Sequence, residues 1–78
     1  MPDIPTAVRD VLQDVLELPA AHLPDNTILF TLPNADSMHL LEVVVRLEEA
    51  FGVAFDEEAL AQLQTVQDLV DAVGRAVR

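Results

Sequence analysis

The chain has 78 residues, 51% of them hydrophobic, which is too apolar for intrinsic disorder even though its net charge is -10. Fourteen acidic residues against four basic ones give a field that repels phosphate backbones and anionic lipids, so we expect neither nucleic acid nor membrane as a partner and favour proteins with a basic docking patch. The absence of cysteine excludes disulfides and thiolate metal sites.

The length predicts one small domain over residues 1–78. A chain this short buries only about 60 to 65 per cent of its unfolded surface, so its stability is expected to be modest. The first ten residues lack the pattern of a signal peptide, and no apolar run approaches the roughly 18 to 20 residues of a membrane span. We therefore expect a soluble, unprocessed monomer in the cytoplasm.

The first predicted element is an amphipathic helix from about Thr6 to Glu17. Valines and leucines at positions 8, 11, 12, 15 and 16 follow the spacing of one helix face. Pro5 suits the first helical position, where no N–H is needed, and Pro19 biases Leu18 away from the helix and closes it.

Residues 18–35 contain three prolines and no strong period, and the segment is too long for an ordinary connection. We interpret it as an ordered crossing loop with apolar side chains tucked against the helices: Leu23, Ile28, Leu29, Phe30 and Leu32. The propensities of residues 27–32 also allow a short strand, but no other segment of the chain offers a partner for it.

The second helix is predicted to run from Asp36 or Ser37 to about Ala50, with Gly52 as its C-terminal stop. Winding it at about 100° per residue produces one apolar stripe that is the natural core face. That stripe consists of Leu40, Val43, Val44, Leu47 and Phe51.

The same helix has a second apolar stripe, Met38, Leu41 and Val45, roughly 100° to 160° round from Leu40. Either a second internal neighbour or an external partner must cover it. Three acids flank the stripe, and carboxylates are almost never buried unpaired, which favours a docking site for a basic protein surface. These acids are Glu42, Glu48 and Glu49.

Two further helices complete the chain. Asp56 is a predicted N-cap for a short helix, and Thr65 with Asp68 three residues on is a capping-box pattern. One apolar face follows Thr65: Val66, Leu69, Val70, Val73 and Val77. The fold class predicted is all-α, a four-helix bundle of three longer helices and one short helix, with a long loop between the first two.

Ser37 allows two interpretations. The start of a helix favours a bound phosphate or phosphoester, but a serine there is also a common capping residue, for which Asp36 is the better candidate.

A catalytic triad of Asp36, Ser37 and His39 is excluded, because residues one and two apart on a helix do not face each other. No metal site is predicted either, since residues 55–59 lack the ligand pattern of a calcium loop and the two histidines are seventeen residues apart.

Residues 35–60, ADSMHLLEVVVRLEEAFGVAFDEEAL, followed by TVQDLVDAV, resemble acyl carrier proteins. In that family a D-S-L or D-S-M motif opens the second helix, L-E-E-x-F-G closes it and T-V-x-D-L starts the last one. The similarity covers about residues 5 to 77. It implies that a phosphopantetheinyl transferase, using coenzyme A and magnesium, converts Ser37 into a 4'-phosphopantetheine ester whose thiol carries an acyl group. Asp36 matches the acid that the transferase recognises.

The resemblance also implies a docking surface and partners. Met38, Leu41, Glu42, Val45 and Glu48 match family positions that dock on basic patches, and Glu49 belongs to the same acidic rim. The partners implied are the transferase and enzymes that load or process the acyl group, of ligase, acyltransferase, ketosynthase or condensation type. The carrier itself is expected to catalyse no reaction.

The resemblance implies, in addition, that a long acyl chain folds back between the second and third helices. The residues expected around it are Leu47, Phe51, Phe55 and Leu60.

Four residues depart from the family pattern. Asn34 stands where the family often has glycine, and asparagine tolerates the left-handed conformation. Thr31 stands where an acid is common. His39 and Arg46 add potential positive charge. These departures favour a specialised pathway, such as polyketide or other secondary-metabolite assembly, over fatty-acid synthesis. An aminoacyl or peptidyl carrier, including a D-alanyl type, and an unmodified interaction module remain alternatives.

Overall fold

A computed structural model describes residues 3–18 and 23–77 and confirms the four-helix architecture. The helices are α1 (Ile4–Val15), α2 (Ser37–Phe51), α3 (Glu57–Ala61) and α4 (Val66–Ala76), and the described residues form no extended strand. Helix α1 packs against both α2 and α4. Within the described segments, no helix combines the length and apolarity that a membrane crossing needs.

Helix α1 begins and ends two residues earlier than predicted. Its start is set by Asp3, whose carboxylate accepts a hydrogen bond of 3.2 Å from the backbone N–H of Thr6. At its end Glu17 adopts a left-handed conformation with φ 54°, and the N–H of Leu18 donates to the carbonyl of Gln13 at 3.0 Å. This arrangement is a Schellman motif. Glycine usually occupies its left-handed position, but in this chain that residue is Glu17. Pro19, the predicted stop, lies outside the described residues.

The caps predicted for the other helices are confirmed. Helix α2 ends at Gly52, which has φ 66°, and Asp56 accepts a hydrogen bond of 2.7 Å from the N–H of Ala59 at the start of α3. At α4 the N–H of Asp68 donates to Thr65 Oγ1 at 3.1 Å, and the N–H of Thr65 donates to Asp68 Oδ2 at 3.0 Å. Each of these caps is made within three or four residues of sequence, which is why the pattern predicts it.

One core fills the space between the helices and the loop before α2. Its members are apolar side chains from α1, α2, α4 and that loop. They are Val8, Leu12, Val15, Leu16, Leu23, Leu29, Ala35, Val43, Leu47, Val66, Leu69 and Val73. The predicted core stripe of α2 therefore faces inward, with Val44 also buried and Leu40 and Phe51 half-buried.

The loop before α2 buries only part of its predicted apolar set. Leu23 and Leu29 are buried and Leu32 is half-buried, but Ile28 and Phe30 are 53% and 59% exposed, so the prediction is wrong for these two. The backbone is extended at Ile28 and then turns through a 3-10 helix at Leu29–Thr31. This geometry turns Leu29 inward and leaves its two neighbours outside.

The described part of the loop is held at two places along its length. Arg9 of α1 donates through Nε to the carbonyl of Leu23 at 2.8 Å and pairs with Asp25. Further on, an isolated antiparallel bridge joins Ile28 to Thr65, where the N–H of Leu29 donates to the carbonyl of Gln64 at 2.8 Å. The expectation that this segment has no backbone partner is therefore wrong, since the turn before α4 supplies one.

Truncation at two leucines of α2 tests the inward and outward faces. Leu47 is fully buried, and we expect Leu47→Ala to lower the free energy of unfolding by about 2 to 5 kcal/mol through lost burial and a residual cavity. Leu41 is 58% exposed, so Leu41→Ala, the same chemical change on the same helix, should cost less than about 0.5 kcal/mol. Urea denaturation measures both, and equal losses would contradict the orientation of α2.

Candidate functional site

Ser37 is the single serine of the chain, and it occupies the first position of α2 with an exposed side chain. The cap bond at this helix start is made by Asp36, whose Oδ1 accepts from the N–H of His39 at 2.9 Å. Because Asp36 makes this bond, Ser37 does not cap the helix, and its hydroxyl has no hydrogen bond to another described residue. The interpretation of Ser37 as a capping residue is therefore excluded.

Two groups of His39 hold the carboxylate of Asp36. Its Oδ1 lies 2.7 Å from Nδ1 of His39 as well as accepting the His39 backbone N–H. The backbone bond first, and the imidazole second, hold the pKa of the Asp36 carboxyl below its usual value of 3.8. Because that pKa is depressed on folding, the stabilising effect is present above pH 3.8 and is lost as pH falls through the folded pKa. A carboxylate therefore stands beside Ser37 at neutral pH.

Asn34 fixes the turn that leads into α2. It has φ 64°, which confirms the predicted left-handed conformation, and its Nδ2 donates to the carbonyl of Leu16 at 2.9 Å. That carbonyl belongs to the C-cap of α1, so the side chain joins the end of α1 to the segment three residues before Ser37. A glycine would provide the conformation but not the bond, and the sequence carries no signal for a contact across eighteen residues.

A cleft of about 190 Å³ opens beside Ser37. Its walls are apolar apart from Ser37 itself and come from the loop before α2, from α2, and from the segments that follow. They consist of Leu29, Phe30, Leu40, Leu41, Val43, Val44, Leu60, Leu63 and Leu69. The exposed side chains of Phe30 and Leu41 lie at its rim.

Of the four residues predicted around an acyl chain, Leu60 lines this cleft and the other three lie elsewhere. Leu47 is fully buried in the core and does not line the cleft. Phe51 and Phe55 are half-buried against the core, and Phe55 lines a separate cavity between α3 and α4. The observed cleft is thus nearer to the start of α2 than the pocket that the resemblance implies.

The second apolar stripe of α2 is uncovered. Met38, Leu41 and Val45 are 81%, 58% and 39% exposed, so no second internal neighbour covers them. The structure leaves an apolar face that begins one residue after Ser37.

The three flanking glutamates differ in their contacts. Glu42 pairs with Arg46 at 3.1 Å, and Arg46 also pairs with Asp14 of α1. Glu48 is half-buried and accepts from the N–H of Phe55 at 2.8 Å. Glu49 is exposed and has no hydrogen bond or ion pair with another described residue. Glu48 and Glu49 therefore both keep an unneutralised negative charge on this rim, and Glu48 also closes the turn after α2.

No group of three or more potential metal ligands occurs among residues 3–18 and 23–77.

Glu48 and Glu49 are adjacent and chemically identical, so they form a matched pair. We expect Glu48→Ala to lower the free energy of unfolding by about 1 kcal/mol, because it leaves the part-buried N–H of Phe55 without its acceptor. Glu49→Ala should change stability by less than about 0.5 kcal/mol. Chemical denaturation distinguishes them, and an unaffected Glu48→Ala protein would refute the structural role of this glutamate.

A family model described as "Phosphopantetheine attachment site" matches residues 6–73. The acyl carrier protein of Thermosynechococcus vestitus is 35% identical over 71 residues, which cover 90% of this chain and 86% of that protein. Acyl carrier protein 3, chloroplastic, of Cuphea lanceolata is also 35% identical, over 72 residues that cover 92% of this chain and 50% of the relative. The chain thus spans about half the length of the plant relatives it matches.

The fold has a counterpart among solved structures. The solution NMR structure of a holo acyl carrier protein from Geobacter metallireducens superposes with a TM-score of 0.81 at 26% sequence identity. The match covers 99% of this chain and 87% of the other.

Proposed function

Since the chain belongs to the acyl carrier protein family, whose members are carriers and not enzymes, we propose that it presents acyl groups on a 4'-phosphopantetheine arm esterified to Ser37. The observation that carries the proposal is the exposed, uncommitted hydroxyl of the chain's single serine at the first position of α2. When bound, the arm supplies a terminal thiol, and a thioester on such a thiol is a reactive acyl donor.

The residues around Ser37 suit a phosphoester. The first turn of α2 has backbone N–H groups without intrahelical partners, and the positive end of the helix dipole favours a negative group there. Asp36 takes the cap, so Ser37 Oγ projects from the helix start without an internal bond to break. Asn34 holds the preceding turn to α1 and keeps Ser37 at a fixed place on the surface. An unmodified interaction module would have no need of a free hydroxyl at this point.

The cleft supports an apolar acyl cargo over an aminoacyl one. It opens beside the proposed attachment point, and apart from Ser37 every residue that lines it is aliphatic or aromatic. An aminoacyl group carries an ammonium that would lose its hydration in such a cleft without gaining a hydrogen-bond partner. The aminoacyl or peptidyl carrier is accordingly the second candidate.

A specialised pathway, such as polyketide assembly, remains part of the proposal and is supported by the departures from the family pattern. The structure gives three of those residues local contacts that do not depend on cargo: Asn34 with Leu16, His39 with Asp36, and Arg46 with Asp14 and Glu42. The cytoplasmic location, the monomeric state and the single domain over residues 1–78 stay predictions.

The partners proposed are a phosphopantetheinyl transferase and enzymes that load or process the acyl group. The face they would use is the exposed stripe of Met38, Leu41 and Val45, beside Ser37. Glu42, Glu48 and Glu49 supply negative charge at its edge, which fits a basic patch on the partner.

Intact mass measures the modification directly. Incubated with coenzyme A, Mg²⁺ and a broadly specific phosphopantetheinyl transferase, the wild-type chain should gain the mass of one phosphopantetheine group. The Ser37→Ala variant should gain none, because the chain has no other serine. An unchanged wild-type mass, or the same gain in Ser37→Ala, would defeat the proposal.

Charge reversal on the rim of α2 tests docking. We expect Glu49→Arg to raise the KM of a loading enzyme for this carrier several-fold, with a smaller effect at high salt, because it opposes a basic patch. Asp10→Arg makes the same charge change at an exposed position of α1 and is the matched control. Equal KM values for the two variants would show that the rim is only a solvated face.

A further inference from the structure

We propose that Phe30, on the loop before α2, is a second apolar anchor for the phosphopantetheinyl transferase, in addition to the stripe of Met38, Leu41 and Val45. This inference rests on the proposed function, because it concerns how the enzyme that modifies Ser37 binds the chain. Phe30 takes no part in the reaction and belongs to the binding surface alone.

Phe30 is the exposed aromatic residue of the chain. Of the three phenylalanines, Phe51 and Phe55 pack against the core, whereas Phe30 is 59% exposed. Aromatic side chains bury a large apolar area when a partner covers them, and they are enriched at the centre of protein interfaces. Phe30 is therefore the residue of this chain best suited to be an aromatic anchor.

The backbone on both sides of Phe30 is held by hydrogen bonds. The N–H of Leu29 donates to the carbonyl of Gln64 at 2.8 Å, and the N–H of Thr31 donates to the carbonyl of Ile28 at 3.0 Å. The side chain of Leu29 is buried and fixes this turn to the core. Phe30 is thus presented at a fixed position, so less conformational entropy is lost when a partner covers it.

Phe30 lies on the same cleft as Ser37. It belongs to the wall that the loop contributes, and Leu41 of the exposed stripe belongs to the wall that α2 contributes. The two exposed side chains therefore extend the apolar face of α2 across the cleft to the loop.

This position favours the transferase as the partner that contacts Phe30. An enzyme that acts on the hydroxyl of Ser37 must reach the surface of the domain itself. An enzyme that acts on the thiol meets it at the far end of the arm. Only the first of these reactions requires an enzyme to cover the surroundings of Ser37, where Phe30 lies.

The charges around this face indicate the chemistry of the enzyme surface. Residues 26–35 contain no ionisable side chain, although the chain has fourteen acidic residues, whereas Glu42, Glu48 and Glu49 flank the stripe on α2. A matching enzyme has basic groups opposite α2 and an uncharged apolar pocket opposite Phe30. A second copy of this chain fits poorly, because the net charge of -10 opposes the close approach of two copies.

The test compares the unmodified wild-type chain with Phe30→Ala and Ile28→Ala as substrates of one transferase with coenzyme A and Mg²⁺. Ile28 is the matched control, because it is 53% exposed on the same loop but does not line the cleft. We expect Phe30→Ala to raise the KM for the carrier about five- to thirtyfold with kcat little changed, and Ile28→Ala to change KM by less than about twofold. The unmodified chain carries no acyl group, so this effect cannot arise from contact between Phe30 and a cargo.

Phe30→Leu separates docking from folding. Leucine keeps an apolar side chain at the rim of the cleft, so its KM should lie between the values for wild type and Phe30→Ala. The urea midpoints of all variants should stay close to that of wild type, because Phe30 is mostly exposed. A phenylalanine that only supported the loop would lower the urea midpoint when replaced and leave KM unaltered.

Equal KM values for wild type and Phe30→Ala, or an equal rise in Ile28→Ala, would overturn the inference while leaving Ser37 as the attachment site. A wild-type chain that sediments as a dimer at the assay concentration, and as a monomer after Phe30→Ala, would also overturn it, since a second copy would then cover Phe30. A wild-type chain that gains no phosphopantetheine would refute the proposed function itself, and the inference with it.

Discussion

Burial of the apolar stripe that contains Leu47 fixes the orientation of α2 against the rest of the core. The angle between any two side chains of a helix is constant, at about 100° per residue, so the burial of Leu47 also leaves Leu41 exposed. The bond between the Asp36 carboxylate and the N–H of His39 then begins the helix at Ser37, whose side chain is outside. The proposed attachment point and docking face are thus consequences of one buried stripe and one cap.

That cap is useful only because the chain before it is held in place. Asn34 ties the turn to the end of α1, and the bridge between Ile28 and Thr65 ties the preceding loop to the start of α4. These contacts hold the described part of a long connection, which is not α-helical over residues 23–35, and Leu29 contributes to both the core and the cleft. The loop therefore positions Ser37 from one side and forms one wall of the cleft from the other.

The sequence predicted those features that depend on neighbouring residues. The cap at Thr65, the stop at Gly52 and the two stripes of α2 each follow from patterns only a few residues long. It did not predict features that depend on contacts between distant segments. Nothing local distinguishes buried Leu29 from exposed Phe30, because a turn and a bridge to the start of α4 decide which one faces the core.

The same reason explains two features of the site that the sequence did not predict. Glu48 matches a docking position in sequence, and the path of the chain after α2 also brings the N–H of Phe55 to its carboxylate. The pocket implied by the family resemblance includes Leu47, which is fully buried in the core, whereas the cleft opens beside Ser37. Periodicity gives the face of a helix, but packing decides where along that face a cavity opens.

The central claim, that the start of α2 is the attachment point, is tested most directly by locating the modification along the chain. After treatment with transferase, coenzyme A and Mg²⁺, cleavage at arginine releases residues 10–46 as one peptide that contains Ser37, and tandem mass spectrometry of that peptide assigns the modified residue. The account predicts phosphopantetheine on Ser37 and on no other residue. A fully treated peptide without the group, or with it on a threonine such as Thr31, would contradict it.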